Sequence, residues 1–206
     1  MSGMSPSPRS GRHAERRRAT KETLVEVALF VDGAGRADAT TGLPFFDHML
    51  SQLAKHAGFD LTVRAEGDLQ VDAHHTVEDV GIVVGQSLAE ALGDRTGVRR
   101  FASCLLPLDE ALVEVALDLS GRAYLAYDVP FEPCTPGLGS PPFDPQLAEE
   151  FWRACTTWAG ITLHVRRRAG RNAHHVVEAV FKAVARALRD AVRVEGTDVP
   201  STKGVL

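Results

Sequence analysis

Residues 23–31 read TLVEVALFV and residues 112–119 read LVEVALDL. In both, apolar and polar side chains alternate with the period of two that makes a half-buried β-strand, and Val25, Val27, Leu29 and Val31 share one face of the first. Val25 to Leu29 recurs unchanged as Val113 to Leu117, 88 positions further on. Outward from the first copy, Gly33 and Gly35 predict a hairpin turn into a second strand near 36–41. Asp47 is expected to cap a helix running to about 57, with Met49, Leu50, Leu53, Ala54 and Ala57 as its apolar stripe. Phe59, Leu61 and Val63 alternate with Asp60, Thr62 and Arg64 in a further strand, and a long apolar helix covers 75–92. The order β-β-α-β-α then repeats. LVEVALDL is a strand, Ser120 and Gly121 turn it, 122–129 returns, 145–158 is helical, ITLHVRRR is a strand and 175–193 is helical.

Two more echoes follow in the same order: Ala57-Gly58 reappears as Ala159-Gly160 at an offset of 102, and His74-His75 as His174-His175 at an offset of 100. Offsets that drift while order is kept are what loop insertions in a duplicated unit produce. The predicted fold is therefore α+β, a duplicated β-β-α-β-α unit whose helices pack between two sheets in one compact domain. Its two long helices are apolar almost all round, as helices covered on more than one side should be. The expected division is a disordered basic tail at 1–18, a first half at 19–95 and a second half at 96–206.

Of 206 residues, 44% are apolar and 24% charged, which excludes disordered, collagen-like and disulfide-scaffold classes for the chain as a whole. A net charge of −4 exerts no general pull toward nucleic acid or an anionic membrane, so neither is an expected partner. Residues 1–18 carry Arg9, Arg12, Arg16, Arg17 and Arg18 against the single acid Glu15, which reads as a solvated tail. With no signal-like apolar core and no apolar run long enough to span a bilayer, a cytoplasmic location is expected. Cys104, Cys134 and Cys155, an odd number without C-x-x-C spacing, fit reduced thiols.

Six histidines carry the main chemical signal: His48, His74, His75, His164, His174 and His175. Each pair belongs to an H-H-x-x-E motif, closed by Glu78 in one copy and Glu178 in the other. Residues three and four apart share a helix face with Cβ atoms roughly 5–6 Å apart, near enough to chelate one ion. Adjacent helical histidines diverge by about 100°, so each pair serves two metals more naturally than one. A single motif of this kind could be a capped helix start; two at equivalent places in a duplicated fold read as ligands. His164 alternates with Ile161, Leu163 and Val165 and so points away from the core. The eight candidates His48, His74, His75, Glu78, His164, His174, His175 and Glu178 supply imidazole and carboxylate without thiolate. That set suits Mn(II), Fe(II), Co(II), Ni(II) or Zn(II), with octahedral demand favouring manganese.

These residues and their surroundings resemble the imidazoleglycerol-phosphate dehydratases of histidine biosynthesis. The resemblance runs from about Thr20 to Leu206 through TKET, FFDHML, DAHHTVEDVGI, LDEAL, DLSGRAY, NAHHVVEAVFKAVARAL and PSTKGVL. It implies a twenty-four-subunit homo-oligomer with two Mn(II) per subunit at subunit contacts. One metal would take His74, His164, His174 and Glu178, and the other His48, His75, Glu78 and His175. It also places Glu22, Gln52, His56 and Asp109 near substrate, and Arg100, Arg122, Lys182, Ser201 and Lys203 on its phosphate. The segment FEPCTPGLGSPPFDP and Ala123, where the family commonly has proline, depart from the pattern. Only the dehydratase activity is expected, without the phosphatase domain fused to some relatives.

The implied reaction converts imidazoleglycerol phosphate to imidazoleacetol phosphate and water, through a metal-bound imidazolate and a diazafulvene-like intermediate. Glu22, Glu178 and His74 are the expected catalytic residues, and the sequence does not decide which glutamate moves the proton. Two other classes, a binuclear metallohydrolase and a non-catalytic metal-storage shell, share the histidine pattern. A hydrolase needs phosphate beside its metals, and a storage protein needs no basic set at all.

Overall fold

The structure, a computed structural model, describes residues 11–204 and Leu206. In chain order its elements are β1 (His13–Ala19), β2 (Thr23–Phe30), β3 (Ala37–Thr40), α1 (Pro44–Ala57), β4 (Asp60–Gly67) and α2 (His74–Leu92). The second series is β5 (Phe101–Leu108), β6 (Ala111–Asp118), β7 (Tyr124–Asp128), α3 (Leu147–Ala159), β8 (Thr162–Ala169) and α4 (Ala173–Ala191). Two four-stranded sheets result, ordered β1-β2-β4-β3 and β5-β6-β8-β7, so the duplication holds down to strand order. Val25, Val27 and Leu29 in one sheet and Val113, Val115 and Leu117 in the other are buried, as their alternation requires. Between the sheets α2 packs on α3 and α1 on α4.

Each unit carries one strand more than the sequence suggested. The supposed tail forms β1 from His13 onward, paired antiparallel with β2 from His13↔Phe30 to Ala19↔Leu24; residues 1–10 of that tail lie outside the described residues. Hydrophobic periodicity misses β1 because only Ala14 of it is buried. Arg12 just before it and the arginines within it meet acids instead: Arg12 with Asp32, Arg16 with Glu90, Arg17 with Glu26 and Arg18 with Asp79. Pairs with both members at the surface contribute at most about 1 kcal/mol each, and of these acids only Asp79 is buried, so the backbone ladder is the larger attachment. In the second unit β5 plays the same part; it alternates exposed with half-buried residues and contains Pro107.

The predicted hairpins are also corrected. β3 does not pair with β2 but lies beyond β4, parallel to it, and β7 stands in the same relation to β8. Asp60 organises the crossing, its Oδ1 accepting from the backbone N–H of Ala34 (2.8 Å) and Arg36 (3.1 Å) and its Oδ2 from the Arg36 guanidinium (2.8 Å). Burial opposes ionisation of this carboxyl, but the Arg36 bond and the two backbone donors outweigh it and hold the group well below the usual carboxylate range. A depressed folded pKa contributes stability above the unfolded value, near 3.9, and loses it as pH falls. Asp60→Asn should therefore cost about 2 kcal/mol at pH 7. The gap from the parent should narrow steadily below about pH 4, as read from urea midpoints at several pH values. A gap independent of pH would count against this account.

Asp47 is not the cap of α1. Pro44 fills the first helical position, where its missing N–H costs nothing, while Asp47 accepts from the Thr41 backbone (2.9 Å) and hydroxyl (2.7 Å). The Ala-Gly echo has a local cause, since Gly58 and Gly160 end α1 and α3 in the left-handed conformation with φ of 79° and 61°. Along α2, Gly81 and Gly85 lie against α3, where an added Cβ would stand 2.7 Å from the Phe151 carbonyl and 2.5 Å from that of Cys155. The α2–α3 contact is thus backbone to backbone, and no side chain fits between.

Candidate active site

The first turn of α4 is fixed by two polar groups. Asn172 caps it by accepting from the N–H groups of His174 (3.0 Å) and His175 (3.4 Å), and Glu110, immediately before β6, accepts from Arg171 N–H (3.2 Å) and Asn172 N–H (2.8 Å). From this anchored start His174, Glu178 and Lys182 follow one another at single-turn intervals on one stripe. Across the seam, α1 offers His48, Gln52 and His56 at the same intervals.

Glu178 is where the stripes meet. Its Oε1 takes the Lys182 ammonium at 2.7 Å, and its Oε2 lies 3.0 Å from His174 Nε2 and 3.7 Å from His48 Nε2. Burial works against its charge, yet Lys182 first and then His174 and His48 prevail, so the carboxyl stays below the ordinary glutamate range. The ligand atoms of His48, His174 and Glu178 all fall within 4.8 Å of one another. Phe45 packs edge-on against the His174 ring with centroids 5.1 Å apart, so the apolar core reaches the site. His56 is pushed below the usual histidine range by burial, then by Lys182 and Arg186.

The remaining candidates fall in three other places. His75 Nδ1 lies 3.2 Å from Asp68 and 3.7 Å from Glu22, with His74 beside it and Glu78 exposed one turn further along α2. His175 Nδ1 lies 2.7 Å from Glu110, and its Nε2 3.7 Å from Asp109. His75 and His175 are both raised above the usual range, chiefly by the Asp68 and Glu110 bonds respectively. Bonding to His175 and then to the two backbone N–H groups pulls the Glu110 carboxyl down to about 2. His164 points outward from the second sheet, as its alternation predicted, and lies against Tyr124 with ring centroids 5.5 Å apart. The single chain therefore assembles neither four-ligand set, and it brings His48 to Glu178 rather than to His75.

Four of the five expected phosphate residues do meet. Arg100, Arg122, Ser201 and Lys203 line an open hollow of about 630 Å³, whose lining does not include Lys182. Arg100 is also structurally engaged, binding Asp118 (2.7 Å) and the Pro200 carbonyl (2.7 Å), which ties the C-terminal segment to β6. Glu110 was absent from the expected set. The 88-residue echo that relates the two strands maps Glu22 onto it, so the signal was present.

Residues 41–188 match the family model for imidazoleglycerol-phosphate dehydratase. The chain belongs to that family. An imidazoleglycerol-phosphate dehydratase from Acidothermus cellulolyticus is 56% identical over 201 residues, covering 97% of this chain and 96% of the relative. Another from Acidiphilium cryptum is 58% identical over 193 residues, with 92% and 96% covered. Among solved structures, the dehydratase from Pyrococcus furiosus superposes with a TM-score of 0.79 at 37% identity, over 93% of this chain and all of that one. The dehydratase from Staphylococcus aureus gives 0.77 at 35% identity, over 87% and 97%. The family match contains both stripes, His48-Gln52-His56 and His174-Glu178-Lys182, while Glu22, Ser201 and Lys203 lie outside it. As a dehydratase the chain is a hydro-lyase, and among the described residues no helix is long and apolar enough to cross a membrane.

Proposed function

We propose that this chain dehydrates imidazoleglycerol phosphate to imidazoleacetol phosphate in histidine biosynthesis, with two divalent manganese ions per subunit. The observation that carries the reading is the convergence of His48, His174 and Glu178 within 4.8 Å in a chain of this family. Imidazole nitrogens beside an ionised carboxylate, with no thiolate among them, fit a divalent ion of this class. His48, His74, His75, Glu78, His164, His174, His175 and Glu178 would hold the metals. When bound, such an ion lowers the proton affinity of an imidazole nitrogen as a Lewis acid.

The side chains divide the remaining work. Both oxygens of Glu178 are engaged, by Lys182 and His174, which suits a holding role. Glu22 is more exposed and lies 3.7 Å from His75, so it is the glutamate free to take the carbon proton. His74, whose ring centroid lies 6.3 Å from that of His75, would assist proton transfer, with Gln52, His56 and Asp109 as further substrate contacts. The basic hollow would hold the phosphate. Incomplete ligand sets in one chain favour a homo-oligomer, the twenty-four-subunit shell of the resemblance. Around His164, Phe101, Leu105 and Tyr124 are 55%, 62% and 57% exposed, an apolar surface suited to a second copy.

Purified protein should show turnover of imidazoleglycerol phosphate that chelation removes and manganese restores, with close to two metals per chain by elemental analysis. Particle size in light scattering should fall on chelation while far-UV dichroism holds. Full activity without metal would remove the reading. Lys203→Ala tests the phosphate contact separately. Loss of one charged hydrogen bond costs roughly 1.5–3 kcal/mol, about one to two decades. That loss should appear in KM with kcat and metal content little changed, and a wild-type KM would place the phosphate elsewhere.

A further inference from the structure

We propose that Glu110 is a positioning residue, holding His175 in the tautomer that carries its proton on Nδ1 and so leaving Nε2 bare as a metal donor. The inference rests on the metal reading above. Glu110 uses one oxygen, Oε1, for the N–H groups of Arg171 (3.2 Å) and Asn172 (2.8 Å), and the other, Oε2, for His175 Nδ1 (2.7 Å). An ionised carboxylate only accepts hydrogen bonds, so Nδ1 must be the protonated nitrogen, and a neutral ring then has its lone pair on Nε2. The two backbone bonds hold the carboxylate in place independently of the ring. Asn172, the second of those donors, also caps the helix that carries His175.

The other half of the molecule reaches the same result by a different route. His75 also has Nδ1 against a carboxylate, but that of Asp68, which follows β4. Glu22, the repeat counterpart of Glu110, stands back at 3.7 Å from the same nitrogen. Both paired histidines thus have Nδ1 occupied by carboxylates from non-equivalent positions. Simple inheritance of one contact through duplication does not account for that; a shared requirement for bare Nε2 does. Carboxylates that orient ligating imidazoles in this way commonly change metal affinity or activity by about 10- to 100-fold when lost.

Glu110→Gln in the full chain is the discriminating variant. Its single amide oxygen is drawn to the two backbone N–H groups, which turns the amide NH₂ toward His175 Nδ1. A donor there requires an unprotonated Nδ1 and moves the proton to Nε2. Magic-angle-spinning spectra of ¹⁵N-histidine in metal-stripped protein, taken at a pH alkaline enough to keep the His175 ring neutral and with its signals assigned by their loss in His175→Ala, should show Nδ1–H in the parent and Nε2–H in Glu110→Gln. Manganese affinity, by competition with a chromophoric chelator, should fall about 10- to 100-fold with an unchanged unfolding midpoint of the metal-free protein. Glu110→Gln should add no further loss in a His175→Ala background. An unchanged tautomer, parental affinity, or a loss that persists without His175 would each overturn the proposal. A parent that binds no manganese would overturn the metal reading itself, and the tautomer, read without metal, would still decide whether Glu110 sets the ring.

Discussion

Glu178→Gln is expected to lower turnover by more than the roughly 10- to 100-fold that loss of an outer partner of a metal ligand causes. The substitution keeps the volume of a side chain only 11% exposed and removes its charge. One of the two oxygens becomes an NH₂ group facing either Lys182 Nζ, now 2.7 Å away and itself a donor, or His174 Nε2 at 3.0 Å. If the amide oxygen stays on Lys182, the NH₂ competes for the His174 lone pair; if it turns to His174, two donors face each other at Lys182. Neither rotamer restores an anionic oxygen beside His48. Steady-state kinetics with metal content measured in parallel should show turnover and bound metal falling together. Near-parental kcat would mean that Glu178 serves only as the counter-ion of Lys182, and the seam would lose its claim to be the active site.

Legibility in the sequence followed the kind of interaction involved. The duplicated strands around Val25 and Val113 could be read because each buries one face completely, and period-two burial leaves a pattern. β1 left none, since its attachment runs through backbone bonds to β2 and through arginines whose acids, Asp79 and Glu90, lie far away along the chain. The exchange of a hairpin for a parallel partner at β3 was equally hidden. Gly33 and Gly35 announce a turn, but where the chain goes after it depends on Asp60, some 25 residues later. In the site, the histidine pairs were visible as spacing and His164 as an outward position. The meeting of His48 with Glu178 depends on α1 packing against α4, which no spacing encodes. The matched stripes His48-Gln52-His56 and His174-Glu178-Lys182 are nevertheless both written at four-residue intervals, the one local trace of that tertiary contact.

Phe151→Ala should be among the most damaging core substitutions short of breaking the site, because this ring ties α3 to α1 and α4. It lies edge-on to Phe46 of α1 at 5.4 Å, stacks on Phe181 of α4 at 5.3 Å and abuts its neighbour Trp152 at 4.9 Å. Its own carbonyl is the atom that Gly81 of α2 approaches. The side chain is wholly buried, and the backbone-to-backbone α2–α3 contact prevents α3 from sinking to fill a void. Phe-to-Ala changes in such settings cost about 3–5 kcal/mol, the upper part of the range applying where the cavity cannot collapse. For a chain of this length that corresponds to a fall of roughly 6–20 °C in Tm, at matched protein and metal concentrations. Trp158, near the end of the same helix and 48% exposed, provides the comparison. Trp158→Ala should cost under about 1 kcal/mol if its ring is not itself at a contact between copies. A small effect at Phe151 would show that α3 can shift after all, and Gly81 and Gly85 would then tolerate alanine. A large effect with unchanged metal stoichiometry would separate the scaffold from the chemistry, since His48 lies only two residues beyond Phe46 on the helix this ring holds.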